Sequence, residues 1–492
     1  MMERPRRPNR APRIRSSSLA RAVAIAAIVA VLVAACGGPS PSAVPSAVPT
    51  PGATEVANAT AIPSPVASAS AAPAPSPTSI GRISSSGAVA ALRADGSLAI
   101  VDADGRSAVI DDAGGGMFGF PTWSPDGRRI AAIRTGTSEI SIVVIDARSA
   151  EAGQTGAPTT IFRSTSVAPF YLFWTPDGRD VSFLASQGDV LTLRTAASDG
   201  SGALVGGGEG RIVRTGNPFY FDWIGGDRLV AHIGTGSTAF LGEIGRDGKP
   251  TAPSFPTPGM FRAPVASHDG KSIAFIQGAQ NAPEAVVVSG RDGSRQHSMP
   301  VFGPAAVVFD PSGATVASLG PTQPVSADVQ IPLGPVRLMD VASGKVRTLI
   351  DGVSVGFWWS PDGRTIAALR VQPATGPGGS AEPSIAPSTL PTAASPSASA
   401  PAAPTNEVRL LFVDVASGDI RSQPVVSVGA RFVDQLLTYF DQYALSHRIW
   451  APDSASVLLP ETEPDGTTRV AVRFVDGRPP VALDGDIAFW SP

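Results

Sequence analysis

Residues 123–131 read WSPDGRRIA, and residues 359–367 read WSPDGRTIA. In each, Ser opens a tight turn, Pro presets φ at the second position, Asp suits the third, and Gly takes the positive φ that follows. That is a type I turn with a Gly bulge, a β-hairpin connection. The aromatic before it ends one strand, and RRIAAIR or RTIAALR begins the next. A ring of that size is expected to fill a gap between neighbouring sheets. Turn chemistry accounts for Asp126, Asp177 and Asp362, with Gly127, Gly178 and Gly363 behind them. These carboxylates are therefore read as turn formers rather than as acids or ligands.

The phrase recurs, intact or eroded. It starts at 123, 174 (WTPDGRDVS), 223 (WIGGDRLVA), 266 (ASHDGKSIA), 309 (FDPSGATVA), 359 and 450 (WAPDSASVL), and the sequence ends on WSP at 490–492. Successive starts lie 40–55 residues apart once a 36-residue insert, 371–406, is set aside. That insert has eight prolines and one charge and is expected to be disordered. A period of this length, with several short strands per unit, predicts an all-β propeller. Trp123, Trp174, Trp359, Trp450 and Trp490 are then equivalent blade positions. Residues 88–92 (AVAAL), 98–102 (LAIVD) and 107–111 (SAVID) read as the outer strands of a blade that lacks its innermost one. The C-terminal DIAFWSP can supply it. Counting that closure gives eight blades, or seven if an eroded unit (266, 309) is not a blade of its own.

The W-S-P-D-G-[RK]-x-[IV]-A unit resembles the repeats of TolB-like, WD-type β-propellers, which also occur as the propeller domains of prolyl-oligopeptidase-type peptidases. The resemblance covers about 84–492. It implies the propeller fold and, for TolB-like proteins, assembly with other proteins at the cell envelope.

The N-terminal region reads differently. Residues 1–35 carry seven Arg and one Glu and end in an apolar run, AVAIAAIVAVLVAA, at 22–35. Fourteen apolar residues are short for a bilayer span but suit a signal peptide. LVAAC resembles the bacterial lipobox, which implies cleavage before Cys36 and lipid attachment to its sulfur. Cys36 is the only cysteine, so no intrachain disulfide can form. Residues 36–80 follow as the lipidated Cys and a Pro/Ala/Ser-rich tether with ten prolines and one charge. The expected organisation is a signal peptide at 1–35, the tether at 36–80 and the propeller at 81–492. The expected location is the extracytoplasmic face of the cell membrane.

Beyond residue 35 there are 31 basic and 40 acidic residues and no basic run. An acidic body argues against nucleic acid as a partner. The four histidines (His232, His268, His297, His447) are scattered, without metal spacing. No G-x-S-x-G elbow, P-loop or calcium loop is present. No cofactor and no metal are expected, and the protein is read as a monomer.

Binding residues are sought on the connections that vary. The segment RFVDQLLTYFDQYALSHRIW (431–450) places Phe432, Val433, Leu436, Leu437, Phe440 and Ala444 at helical spacing, predicting a short helix over 432–444. It reads either as a cap with a solvated polar face or as a ligand contact through Asp441, Tyr443, His447 and Arg448. Tyr171 and Tyr220 stand three residues before their Trp in the parallel phrases PFYLFW and PFYFDW. They read as blade packing or as an aromatic mouth for a glycan or peptide. The function expected is a non-catalytic scaffold that recognises a protein or a cell-envelope polymer. The alternative is a hydrolase or lyase with its site at the channel mouth.

If Cys36 carries the anchor, Cys36→Ala should release the protein from the membrane or leave it uncleaved. Cell fractionation with mass measurement of the product checks this, and a processed, membrane-bound variant contradicts it.

Overall fold

The computed structural model describes residues 80–492 except 111–115, 148–157, 189, 202–207, 252–257, 279–282, 327–328 and 372–406. Cys36, the signal peptide, the tether up to residue 79 and the insert from residue 372 lie outside the described residues.

The strands form antiparallel meanders that follow one another along the chain. Ala88–Leu92, Leu98–Asp102 and Ser107–Val109 make the first sheet. Ile487–Trp490 pairs with Ala88–Leu92 on its other side, with Val89 opposite Trp490 and Leu92 opposite Ile487. The second sheet holds Met117–Trp123, Arg129–Thr135, Ile140–Asp146 and Thr159–Ser164. The third holds Ala168–Trp174, Asp180–Gln187, Val190–Ala197 and Arg211–Thr215. The fourth has three strands, Phe219–Ile224, Arg228–Ile233 and Phe240–Gly245. The fifth holds Val265–Ala266, Ser272–Gln277, Glu284–Gly290 and His297–Val301.

A seven-stranded sheet then contains two meanders. Its 14-residue strand Val346–Trp359 ends the first, pairing with Gly334–Asp340, and begins the second, pairing with Thr365–Val371. The last sheet, Ser456–Thr462, Thr468–Phe474 and Val481–Leu483, is preceded by a single bridge between Trp450 and Val457. The described residues are thus all-β apart from a few short helical turns, and their meanders have the architecture of a propeller.

The two strands that join the ends of the described region are apolar without alternation. All five residues of Ala88–Leu92 and all four of Ile487–Trp490 are buried. Both faces of such a strand meet another sheet, so both must be apolar. Where sheets converge, small residues fit, as in the alanines of AVAAL, RIAAIRT and TIAALRV. Outer strands such as Ile420–Ser427 face solvent on much of their surface.

The quoted phrase folds as its chemistry dictates. The Gly127 N–H donates to the Ser124 carbonyl at 2.9 Å, and Gly127 sits at φ +66°. The Ser124 hydroxyl donates to Asp126 Oδ1 at 2.6 Å and accepts from the Arg129 N–H at 3.0 Å. Thr175 with Asp177, and Ser360 with Asp362, repeat this, with Gly178 at φ +66° and Gly363 at φ +69°. Asp177 also accepts an ion pair from Arg246 of the next sheet at 2.9 Å.

The tryptophan before each turn reaches backwards. Trp123 Nε1 donates to the Phe489 carbonyl, Trp174 Nε1 to Thr122 and Trp450 Nε1 to Trp358, each at 3.0 Å. Trp359 Nε1 donates to Val308 at 3.4 Å. Each acceptor directly precedes the equivalent aromatic of the neighbouring sheet: Trp490, Trp123, Trp359 and Phe309. Trp223 departs slightly and donates to the Ser182 hydroxyl at 3.0 Å. Trp490 Nε1 has no partner among the described residues, although the ring is fully buried. Trp359 is less buried than expected; its neighbour Trp358 lies deeper, at 5% exposure.

Trp490→Ala should cost roughly 3–5 kcal/mol, as for other buried Trp truncations. Urea unfolding of the full chain measures it. Deleting 486–492 should destabilise more than deleting 37–80, although it is far shorter; equal midpoints would mean that the pairing with 88–92 carries little weight.

Candidate functional site

The inner strands converge on one segment, residues 430–447. It is built of Ala430–Phe432, a wider π-helical turn at Val433–Leu437, and Phe440–Tyr443. The expected helix over 432–444 is therefore broken, with Tyr439 outside helical geometry at φ −118°, ψ 34°. The break turns apart two polar pairs that regular helical spacing would put on one face, Asp434–Gln435 and Asp441–Gln442. Asp434 faces solvent, whereas Asp441 and Gln442 are each 1% exposed. A cap with one continuous solvated polar face is not what forms.

Gln442 behaves as a short piece of strand. Its Nε2 donates to the Phe221 carbonyl at 2.9 Å, and its Oε1 accepts the Phe221 N–H at 3.1 Å. Its own carbonyl accepts the Tyr171 hydroxyl at 3.1 Å. Asp441 Oδ2 accepts the Ala263 N–H at 3.1 Å. Phe440 packs on Phe357 and Trp358, at ring distances of 5.4 and 5.2 Å. The turn Phe440–Tyr443 also touches Ala306–Phe309. The Ser446 carbonyl accepts the Thr122 hydroxyl at 3.2 Å. His447 stands edge-on to Phe489 at 4.5 Å. One segment thus meets inner strands or their approaches from seven successive repeats.

Tyr171 and Tyr220, parallel in sequence, are not parallel in structure. Tyr171 sits at a register shift in its strand with φ +48°, uncommon for a bulky residue. That bulge turns its ring onto Tyr443 at 5.1 Å and Phe221 at 5.5 Å. Phe120 does the same one sheet earlier, at φ +50°, with its ring 6.0 Å from Tyr443. Tyr220 keeps regular register opposite His232, and its half-buried ring packs on Phe261 at 4.6 Å. Tyr171, Asp441, Tyr443 and His447 are therefore brought together. Tyr220 lies to one side of them, and Arg448 projects to solvent.

Burial drives these groups toward their uncharged forms. It raises the Tyr171 and Tyr443 phenols and the Asp441 carboxyl above their ordinary values. It lowers His447 to about 3; its Nδ1 pairs with the Ser446 hydroxyl at 2.8 Å, and its Nε2 has no partner among the described residues. His447 borders a narrow gap lined by Phe120, Leu436, Ile487 and Phe489.

Other members of this interior were not singled out from the sequence: Phe120, Asp222, His232 and Gln442. Asp222 had a visible signal, since PFYFDW has Asp where PFYLFW has Phe173. Asp222 Oδ2 accepts the Ala266 N–H at 2.8 Å, and burial raises its pKa to about 7. His232 Nδ1 lies 3.2 Å from the Arg262 carbonyl, and burial lowers its pKa to about 4. Among the described residues no group of three or more His, Cys, Asp or Glu is placed to hold a metal. No helix among them is long and apolar enough to cross a membrane.

Meanders in chain order, stitched by tryptophans and facing a common segment, define an all-β protein of the propeller class. No protein-family model matches the chain, and no curated protein does. Solved structures do. TolB from Acinetobacter baumannii aligns at 17% identity over 53% of this chain, with a TM-score of 0.33; the chain spans 65% of that protein's length. The dihydro-heme d1 dehydrogenase NirN in complex with DHE aligns at 13% identity over 82% of this chain and 75% of its own, with a TM-score of 0.49. An oligogalacturonate lyase in complex with manganese aligns at 9% identity over 73% of this chain and 74% of its own, with a TM-score of 0.38.

Asp222 gives a pH test with a defined sign. Its folded-state pKa lies above the unfolded value, so its stabilisation is complete below about pH 4 and is lost as pH rises through about 7. Asp222→Asn keeps an acceptor for Ala266 and cannot ionise. The stability difference between variant and wild type should therefore move in the variant's favour, by on the order of 2–4 kcal/mol from pH 4 to pH 8. His232 and His447 shift stability the opposite way, but in both proteins, and cancel in the difference. Urea unfolding at each pH checks this; a flat difference would mean that the Asp222 carboxyl is solvated.

Proposed function

We propose that the chain is a lipid-anchored, extracytoplasmic β-propeller that recognises a protein or a cell-envelope polymer and does no chemistry at its axis. We take it to have eight four-stranded units, the seven-stranded sheet counting as two. The ring closes through Ile487–Trp490 on Ala88–Leu92. The anchor rests on Cys36 and the lipobox-like phrase before it.

One observation carries the scaffold reading. The place where inner strands converge is taken by the protein's own 430–447 segment, and Gln442 and one oxygen of Asp441 in it are spent on the scaffold. Gln442 pairs with the Phe221 backbone and Asp441 with the Ala263 N–H. Recognition then falls to the outer surface and the irregular connections, where function on a rigid scaffold usually lies.

The hydrolase or lyase reading has one observation in its favour: His232, Asp441 and Tyr220 crowd around residues 261–263. His232 Nδ1 and Asp441 Oδ2 each meet a backbone group there and Tyr220 meets a ring, which suits holding a loop, while His232 Nε2 and Asp441 Oδ1 have no partner among the described residues.

The test uses the full chain in detergent, incubated with cell-envelope polymer and with envelope extract. Retention of one specific component, with no fragments released into solution, is the outcome expected. Release of polymer or peptide fragments at a rate proportional to protein concentration would overturn the scaffold reading.

A further inference from the structure

Two arginines buried in their sheets, Arg194 and Arg473, meet carboxylates, Glu209 at 3.2 Å and Glu461 at 2.6 Å. The second meander of the seven-stranded sheet is different. Its strands Val346–Trp359, Thr365–Val371 and Glu407–Asp414 place Ser354 opposite Arg370, and Arg370 opposite Arg409. Directly opposed residues of an antiparallel pair share a face, with Cβ atoms about 4.5–5.5 Å apart. Two guanidinium-bearing side chains therefore stand next to each other in one row, beside a hydroxyl.

The row has no counter-charge. Neither arginine makes an ion pair among the described residues, and Asp351 and Glu407, the acidic residues nearest along these strands, make none either. The Ser354 hydroxyl is fully buried and has no partner among the described residues. Backbone holds the arginines instead. Arg409 Nη1 donates to the Gln423 carbonyl at 3.1 Å. Arg370 lies against Gly352, at φ +81°, where a Cβ would stand 2.5 Å from its Nη2. None of the three Arg370 nitrogens is bonded within the described residues, and none is sealed from solvent. Like charges directly opposite in a sheet destabilise it, so the pair is kept at a cost to the fold. An anion shared by both would turn that repulsion into charge-assisted contacts.

We propose that Arg370 and Arg409 together bind an oxyanion displayed by the partner, either a carboxylate or a phosphoryl group. A guanidinium presents a planar fork matched to both. Arg370 is the last residue but one of its strand and Arg409 the third of the next, so the row opens at the end of the sheet away from the Ser-Pro-Asp-Gly turn at 360–363. The 371–406 insert leaves from that same end, and the site rests on the reading that the irregular connections carry recognition.

Methyl phosphate and acetate stand in for the two sources. Their binding to the full chain in detergent is followed by calorimetry and by the urea midpoint, against chloride at the same ionic strength. At least one should bind saturably, and Arg370→Gln and Arg409→Gln should each weaken it by at least about tenfold. Binding of methyl phosphate alone points to a phosphoryl group; acetate binding as tightly points to a carboxylate. Without either anion, both variants should keep or raise the wild-type midpoint, because one of two opposed cations is gone. No saturable binding of either anion at tens of millimolar, binding that survives when both arginines are replaced by Gln, or midpoints that fall in both variants without anion would each overturn the proposal. Retention of an envelope component is read separately. Its absence with wild type fails the scaffold reading while the anion titration still decides the site; equal retention by wild type and the doubly substituted protein overturns the site's part in recognition.

Discussion

The indole N–H of one sheet's tryptophan, bonded to the backbone of the sheet before it, is the contact on which the rest of this architecture depends. A meander of four strands satisfies its own interior hydrogen bonds but leaves its innermost edge open and both faces apolar. The Trp ring covers part of one face, and its N–H uses a carbonyl on the neighbour's inner strand. Burial holds the sheets together without direction, whereas the donor fixes where each sheet sits along its neighbour. The turn that follows places the ring. Its Ser or Thr, Asp and Gly form a closed set of bonds, so the strand must end where the tryptophan stands. At Trp123, Trp174 and Trp359 turn and stitch are one device, and the sequence repeats them together.

The stitch also explains how the two ends of the described region meet. Trp123 belongs to the second sheet, and its acceptor is the Phe489 carbonyl, 366 residues away. Ser491 continues the tie, its hydroxyl accepting the Ala88 N–H at 3.0 Å. Asp453 adds to it by accepting from Ser84 and Ser85. A C-terminal strand that neither paired nor stitched would leave Ala88–Leu92 as a fully apolar open edge, an invitation to aggregation.

Much of this was legible because it is local. Five residues of turn chemistry and a period of 40–55 gave the meanders, and a unit lacking an inner strand pointed to where the last strand goes. The central segment was legible only as an amphipathic stretch. Nothing local says that Gln442 pairs with Phe221 or Asp441 with Ala263, since both partners are more than a hundred and seventy residues away. Helical spacing also misled at Tyr439, where the helix breaks and sends one polar pair to solvent and the other inward. The parallel phrases PFYLFW and PFYFDW promised equivalent tyrosines. A bulge in one strand and not in the other moved Tyr171 to the centre and left Tyr220 beside Phe261. Periodicity locates a residue on a strand; it does not reveal an extra residue in the ladder.

The polar groups around the central segment are held uncharged. A buried carboxylate or imidazolium without a counter-ion is costly, and the cost is avoided by staying neutral. His232 and His447 are pushed down and Asp441 and Asp222 up, each by burial, and most of their bonds go to backbone groups rather than to opposite charges. Hydrogen bonds to fixed backbone positions orient the central segment, which ion pairs on flexible side chains would do less well. The segment's length sets a further consequence. It begins where the outer strand Ile420–Ser427 ends and finishes beside the Trp450 turn, so it crosses from one face to the other.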